Sequence, residues 1–273
     1  MKTPNSKRNL DMAIRRMSVT DEDYIRMRAM LANAIVAQMM PEGAVKGGSA
    51  LKIRFGDDCT RATTDLDAAG KGSLTAFVSD FGERLANGWN GFTARLVPRE
   101  PASPESVPAA YVMQPFDVKL DYLKGAWCTV VFELGHNEIG DADEPEMVYP
   151  AEANRMLETM GFPDLEPIPL MPLHHQIAQK LHAVSEPSSM RAHDLIDLQL
   201  MVDDGDVDYH LTKQTCEKLF AYRKMQPWPP MIQMADTWGP LYDEQAKNLA
   251  VLPTVDEAVF WANALIRMID EIV

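Results

Sequence analysis

Between residues 92 and 134 the hydrophobic pattern changes from a helical period to a period of two, and this change constrains the fold more than any other feature. The segments "FTARLV", "FDVKLDY" and "WCTVVFEL" alternate apolar and polar side chains, as strands with one buried face do. The last two meet around Lys124-Gly125, which predicts a hairpin, and "PREPASPESVP" reads as a loop. Helical signals flank this region. Thr20 is placed to cap a helix that carries acids at 21–23 and an apolar stripe through Ile25, Leu31, Ile35 and Met39, ending at Pro41 and Gly43. A short strand "AVKG", a helix near 49–55, a strand at Asp65-Leu66-Asp67 and a helix near 73–87 follow. Beyond residue 150 helices take over, at 151–160, 172–185, 190–202, 211–224 and 254–272, with a Pro/Trp-rich connection at 226–240. The expectation is an α+β protein: a mixed sheet flanked by helices in residues 1–150, then a helical domain in 151–273.

Composition narrows the function classes. No uninterrupted apolar run approaches the ~18 residues of a membrane span, and the N-terminus lacks the apolar core of a secretory signal. Cys59, Cys128 and Cys216 are odd in number and far apart, which argues against a disulfide framework or zinc site and fits a reducing cytoplasm. The net charge of −14 argues against a protein whose whole surface grips nucleic acid. The charge is uneven, however. Lys2, Lys7, Arg8, Arg15 and Arg16 against Asp11 give residues 1–17 a net +4, leaving −18 on the remainder. Such an arm could hold RNA, although the ordinary expectation is a frayed, solvated terminus.

The stretch "KGGSALKIRFGDDCTRATTDLDAAG" concentrates the chemistry. On a strand Asp65 and Asp67 would point to the same side, with Leu66 turned to the core. Carboxylates held that close repel each other unless a cation intervenes, and Mg²⁺ favours such oxygen donors together with substrate phosphates. Gly47, Gly48 and Ser49 precede a helix, where a glycine turn lets backbone N–H groups approach an anion at the positive end of the helix. An acidic pair on a solvated strand edge is the plainer explanation of Asp-x-Asp alone.

This combination resembles the nucleotidyltransferases of the DNA polymerase β-like superfamily, and more narrowly the AbiEii/AbiGii toxin family of type IV toxin–antitoxin systems. The family pattern is similar to Lys46-Gly47-Gly48, "SALKIRF", Arg61-Ala62-Thr63 and Asp65-Leu66-Asp67 here. A third metal-binding acid on a later strand of the superfamily falls on Glu133 in "WCTVVFELG", where Asp is more usual; Asp117 and Asp121 are the competing choices. A third segment is similar to the family's Gln-x-x-Ala-x-Lys-x-His-Ala helix and the Arg-x-x-Asp-Leu-x-Asp-Leu that follows it. It gives Gln176, Lys180, His182 and Ala183, then Arg191, Asp194, Leu195, Asp197 and Leu198, with His193 where lysine is frequent.

Helical spacing bears on Lys180 independently. Leu173, Ile177, Lys180 and Val184 share one stripe, so Lys180 interrupts an inward-facing row and must snorkel, meet a phosphate or pair with a carboxylate, Asp194 being the obvious partner. Other candidates fail on spacing. "AAGKGS" is no P-loop, "DDGDVD" lacks the glutamate of a calcium loop, and the histidines form no His-Glu-x-x-His.

The resemblance implies a fold with a nucleotidyltransferase-like sheet and a helical second domain completing the active site. It implies that Asp65, Asp67 and Glu133 hold Mg²⁺, two ions being the norm for such sites. It further implies that Gly47, Gly48 and Ser49 bind the NTP phosphates, with Lys180, Arg54 and Arg61 adding positive charge, and that Asp194 matters for activity. NMP would pass to an RNA acceptor such as the tRNA 3′ end, releasing pyrophosphate, and a cognate antitoxin protein is a possible partner. The rivals are a nucleotidyltransferase acting on a protein or small molecule, and a non-catalytic binding module of the same fold.

Overall fold

The computed structural model describes residues 2–57, 59–101, 112–187 and 189–272; most of the loop at 98–108 therefore lies outside the described residues. The chain forms two compact units, Met1–Asp57 with Ala62–Met171, and Asp58–Arg61 with Pro172–Val273.

In the first unit the elements run α1 (Lys7–Met17), α2 (Asp21–Gln38), β1 (Gly43–Lys46), α3 (Gly47–Phe55), β2 (Leu66–Gly70) and α4 (Leu74–Asn87). There follow β3 (Phe92–Pro98), β4 (Gln114–Tyr122), β5 (Gly125–Gly135), β6 (Glu146–Val148), α5 (Ala151–Thr159) and β7 (Ile168–Leu170). The seven strands lie in the order β3-β4-β5-β2-β1-β7-β6. The sheet is mixed: β2 runs parallel to β5 and β1 to β7, and the other pairs are antiparallel.

Alternation divides the sheet into two faces. Leu66, Ala68, Phe116, Val118, Leu120, Phe132 and Leu134 are buried in one core with Leu31 and Ile35 of α2 and Phe77 and Phe81 of α4. Phe132 meets Phe81 at 5.1 Å and Phe77 at 6.4 Å between ring centroids, an aromatic cluster of the kind that anchors a sheet to its helices. The residues between them, Asp117, Lys119, Thr129, Val131, Glu133 and Asp67, belong to the opposite face and are half-buried or exposed. As the cap signal predicts, Thr20 and Asp23 form a reciprocal capping box at the start of α2.

Four features depart from the sequence expectations. The basic arm is no frayed terminus: α1 buries Leu10 and Ile14 completely against the core, and Tyr122 donates its hydroxyl to the Pro4 carbonyl. Strand β2 begins at Leu66, so Asp65 precedes it. Strands β6 and β7 are three residues each, too short for alternation to reveal. The first unit continues past residue 150 to Met171, because β7 pairs with both β1 and β6 and so completes the sheet.

The second unit is helical: α6 (Leu173–Val184), α7 (His193–Asp204), α8 (Tyr209–Arg223), α9 (Trp238–Gln245) and α10 (Val255–Asp270). Helix α9 arises within the expected Pro/Trp connection and beyond it. Its Trp238 and Tyr242 are buried, the indole donating to the Ser189 carbonyl and the phenol to the Leu252 carbonyl. Among the described residues no helix is long and apolar enough to cross a membrane.

Candidate active site

Three strands of the first unit place three charged residues at one level of the sheet. Lys46 ends β1 and pairs in register with Asp67 of β2, which pairs on its other side with Glu133 of β5. Register partners project from the same face, so an ammonium and two carboxylates stand in a row on the polar side. Asp65, two residues before Asp67, is exposed, and its Oδ1 accepts from the Thr64 hydroxyl at 3.1 Å. Burial, together with the charges of Asp67 and Asp65, pushes the Glu133 carboxyl above its ordinary pKa, against the opposing pull of Lys46 and Arg99.

Glycine is required at the turn beside these acids. Gly47 has φ +65°, and a Cβ there would lie 2.2 Å from Oδ2 of Asp67. The carboxylate thus rests over the bare backbone of the β1–α3 junction. A Cβ on Gly135 would come 3.0 Å from Nζ of Lys46, so this second glycine leaves space for the ammonium. The N-cap of α3, Lys46, makes no side-chain cap hydrogen bond, and the first turn of the helix carries the positive end of its dipole, which favours an anion.

Among the described residues no three His, Cys, Asp or Glu side chains converge closely enough to ligate one metal ion. The donor set of Asp65, Asp67 and Glu133 nevertheless fits Mg²⁺ chemically: all are hard oxygen donors, and the burial and the mutual repulsion that together raise Glu133 are both offset by a cation. The rival acid Asp117 is ion-paired with Lys119 at 2.7 Å.

Two expected phosphate ligands in this unit are engaged elsewhere. The Ser49 hydroxyl is buried, donates to the Asp65 carbonyl at 2.5 Å and accepts from the Asn33 amide at 3.1 Å. Its role is to fix the backbone that carries Asp65. Arg54 is bridged to Glu146 at 2.5 Å with its side chain 14% exposed, so it pins α3 to the β6 segment.

In the second unit Lys180, expected to meet phosphate or to pair, is paired twice: its Nζ lies 2.9 Å from Asp194 and 2.6 Å from Asp197, all three side chains being buried. Arg61 holds Asp197 through both Nε and Nη2, at 2.9 and 3.0 Å. Arg191 holds Asp194 at 2.5 Å. Three cations thus meet two buried carboxylates in one network. Burial alone would raise both carboxyl groups, but Lys180 and the flanking arginines outweigh it and hold Asp194 and Asp197 below the usual carboxylate range. His193 is pushed down to about 4 by burial and the surrounding cations, Asp194 opposing.

Lys46, Asn33 and Asp197 join these clusters without having been expected there, although Lys46 and Asp197 stand inside the motifs. The legible signals were the place of Lys46 at the strand end before the glycine pair, and the i, i+3 spacing of Asp194 and Asp197 on one helical face.

Comparison with known proteins agrees with this architecture. The profile of the family described as "Nucleotidyl transferase AbiEii toxin, Type IV TA system" matches residues 28–263. Among solved structures, MenT4, a nucleotidyltransferase toxin from Mycobacterium tuberculosis H37Rv, is similar with a TM-score of 0.59 and 14% identity over 98% of this chain and 90% of that one. JHP933 from Helicobacter pylori aligns with a TM-score of 0.47 and 12% identity over 92% of this chain and 93% of its own. No curated protein sequence matches the chain. With the family pattern spanning most of its length, over a mixed sheet that sets Asp67 beside Glu133, the chain belongs to the AbiEii family of nucleotidyltransferase toxins of type IV toxin–antitoxin systems.

Proposed function

We propose that this nucleotidyltransferase moves NMP from an NTP to an RNA acceptor, the tRNA 3′ end being the first candidate, and that a cognate antitoxin restrains it. The observation that carries the reading is the row Lys46, Asp67 and Glu133 beside the N-terminus of α3. It supplies what phosphoryl transfer needs: anionic ligands for a metal, and backbone donors with a positive charge for the triphosphate.

Asp65, Asp67 and Glu133 would hold Mg²⁺, which when bound neutralises the triphosphate and lowers the pKa of the attacking hydroxyl. The chain's own groups bind and orient. The N–H groups of Gly47, Gly48 and Ser49 meet the phosphates, and Lys46 adds a cation beside the acids. Attack on the α-phosphorus forms the new O–P bond as the bond to pyrophosphate breaks. Lys180 and Asp194 are proposed as residues required for transfer on the strength of their motif positions; their pairing in the second unit makes them a preorganised cluster.

The test is to incubate the protein with Mg²⁺, each α-³²P-labelled NTP in turn and total tRNA, with Asp67→Ala alongside. Label on RNA that the variant loses is the expected result and names the nucleotide. Label confined to protein, or label unchanged in the variant, would overturn the RNA-acceptor reading or the metal assignment respectively.

A further inference from the structure

We infer that helix α1 and the two clefts beside it form an RNA-backbone binding surface, separate from the row of acids on the sheet. Residues 1–17 carry a net +4 on a chain whose remainder is −18, so a polyanion approaching the first unit finds attraction concentrated here. The segment lies ahead of residue 28, where the match to the family pattern begins.

The arm is built to present these charges. Leu10 and Ile14 face the core and fix the helix, which leaves Lys7, Arg8, Arg15 and Arg16 exposed on its outer side. The acids nearby are already engaged. Asp11 accepts from Arg28 at 3.3 Å and from the Trp127 indole at 2.7 Å, and Asp21 pairs with Arg15. Among the described residues Lys7, Arg8 and Arg16 take part in no ion pair.

Each flank of α1 opens into a cleft. One, of about 640 Å³, is lined by Lys7, Arg8, Arg15 and Tyr24 together with the engaged acids Asp11 and Asp21. The other, of about 720 Å³, is lined by Lys2, Asn5, Asn9, Arg16 and Asn90. Basic side chains suit phosphates, asparagine amides suit phosphate and 2′-hydroxyl oxygens, and the Tyr24 ring, with the Arg15 guanidinium 5.1 Å from its centroid, offers a face for a base. Amide donors on one flank and an aromatic platform on the other favour RNA over an acidic protein, which would need cations alone.

The inference rests on the RNA-acceptor reading only for the choice of probe. The experiment compares wild type with the triple variant Lys7→Ala/Arg8→Ala/Arg16→Ala, which leaves Leu10 and Ile14 in place. It measures anisotropy of fluorescein-labelled tRNA across a salt series, with NMP labelling of RNA run in parallel. The expected result is an affinity at least about tenfold weaker and a salt slope smaller by about 2, from the loss of three phosphate contacts. Equal affinity and slope in the two proteins, or no RNA binding by wild type, overturns the inference. So does a variant that binds RNA normally but loses binding to polyglutamate, which would assign the surface to an acidic protein. Wild type that binds RNA through α1 yet never labels it supports this surface while defeating the acceptor reading.

Discussion

Asp67 stands directly across from Glu133 on neighbouring parallel strands, with Lys46 opposite Asp67 on its other side. Two half-buried carboxylates are thus held together by the sheet itself, and a lysine tempers their repulsion. Asp67→Asn is therefore expected to lower NMP transfer by at least about 10²-fold, the scale of losing a main electrostatic contact to the reacting phosphates. Because the variant also relieves charge crowding, its thermal midpoint should stay level or rise. A labelling assay with a parallel melt checks both, and full transfer by the variant would sink the assignment.

Gly47 and Gly72 separate backbone strain from steric intrusion. Both have positive φ, but a Cβ on Gly72 meets nothing within 4 Å, whereas one on Gly47 would collide with Asp67. Each alanine substitution should cost about 1–2 kcal/mol from the left-handed conformation. Only Gly47→Ala should also abolish transfer. Equal activity of the two variants in the labelling assay would show that the carboxylate does not need its place over the turn.

Ser49→Ala removes the hydroxyl that holds the Asp65 carbonyl and leaves the buried Asn33 amide short of an acceptor. The expected cost is about 1–3 kcal/mol, the range for orphaning a buried polar group, with a fall in the rate of transfer and little change in the NTP concentration needed for half-maximal rate. A rise confined to that concentration would instead mark Ser49 as a phosphate ligand.

Lys180→Met leaves Asp194 and Asp197 buried with less compensation. Breaking a buried ion cluster from one side costs about 3–5 kcal/mol, so urea unfolding followed by tryptophan fluorescence should show a marked loss of stability. Lys180→Arg keeps the charge and should recover part of it. An unchanged midpoint in the methionine variant would mean that the network contributes nothing to the fold.

His182 is pushed down to about 4 by burial and by the neighbouring Arg223. Its folded pKa lies below the unfolded value near 6.5, so the unfolded chain takes up a proton first as pH falls. The second unit should be most stable above about pH 6.5 and lose up to about 3 kcal/mol on approach to pH 4. His182→Gln should flatten that part of the stability profile; an unchanged slope would place the effect elsewhere.

Most of the elements and the positions of the motifs were legible in the chain alone. The shift to period two marked β3, β4 and β5, Thr20 and its acids marked the start of α2, and the glycine pair ahead of Asp-x-Asp marked a tight turn beside carboxylates. These signals are local, resting on side-chain alternation, caps and glycine conformations. Which charges meet was settled by packing between distant segments. Strand pairing brought Glu133 to Asp67 and set Lys46 opposite, helix packing spent Lys180 and Arg61 on Asp194 and Asp197, and burial of Leu10 and Ile14 turned an expected loose arm into a fixed basic helix. The strands β6 and β7 were likewise invisible, because three residues carry too little alternation and their stability comes from partners distant in the chain. Register and burial depend on non-local contacts, and no window of sequence contains them.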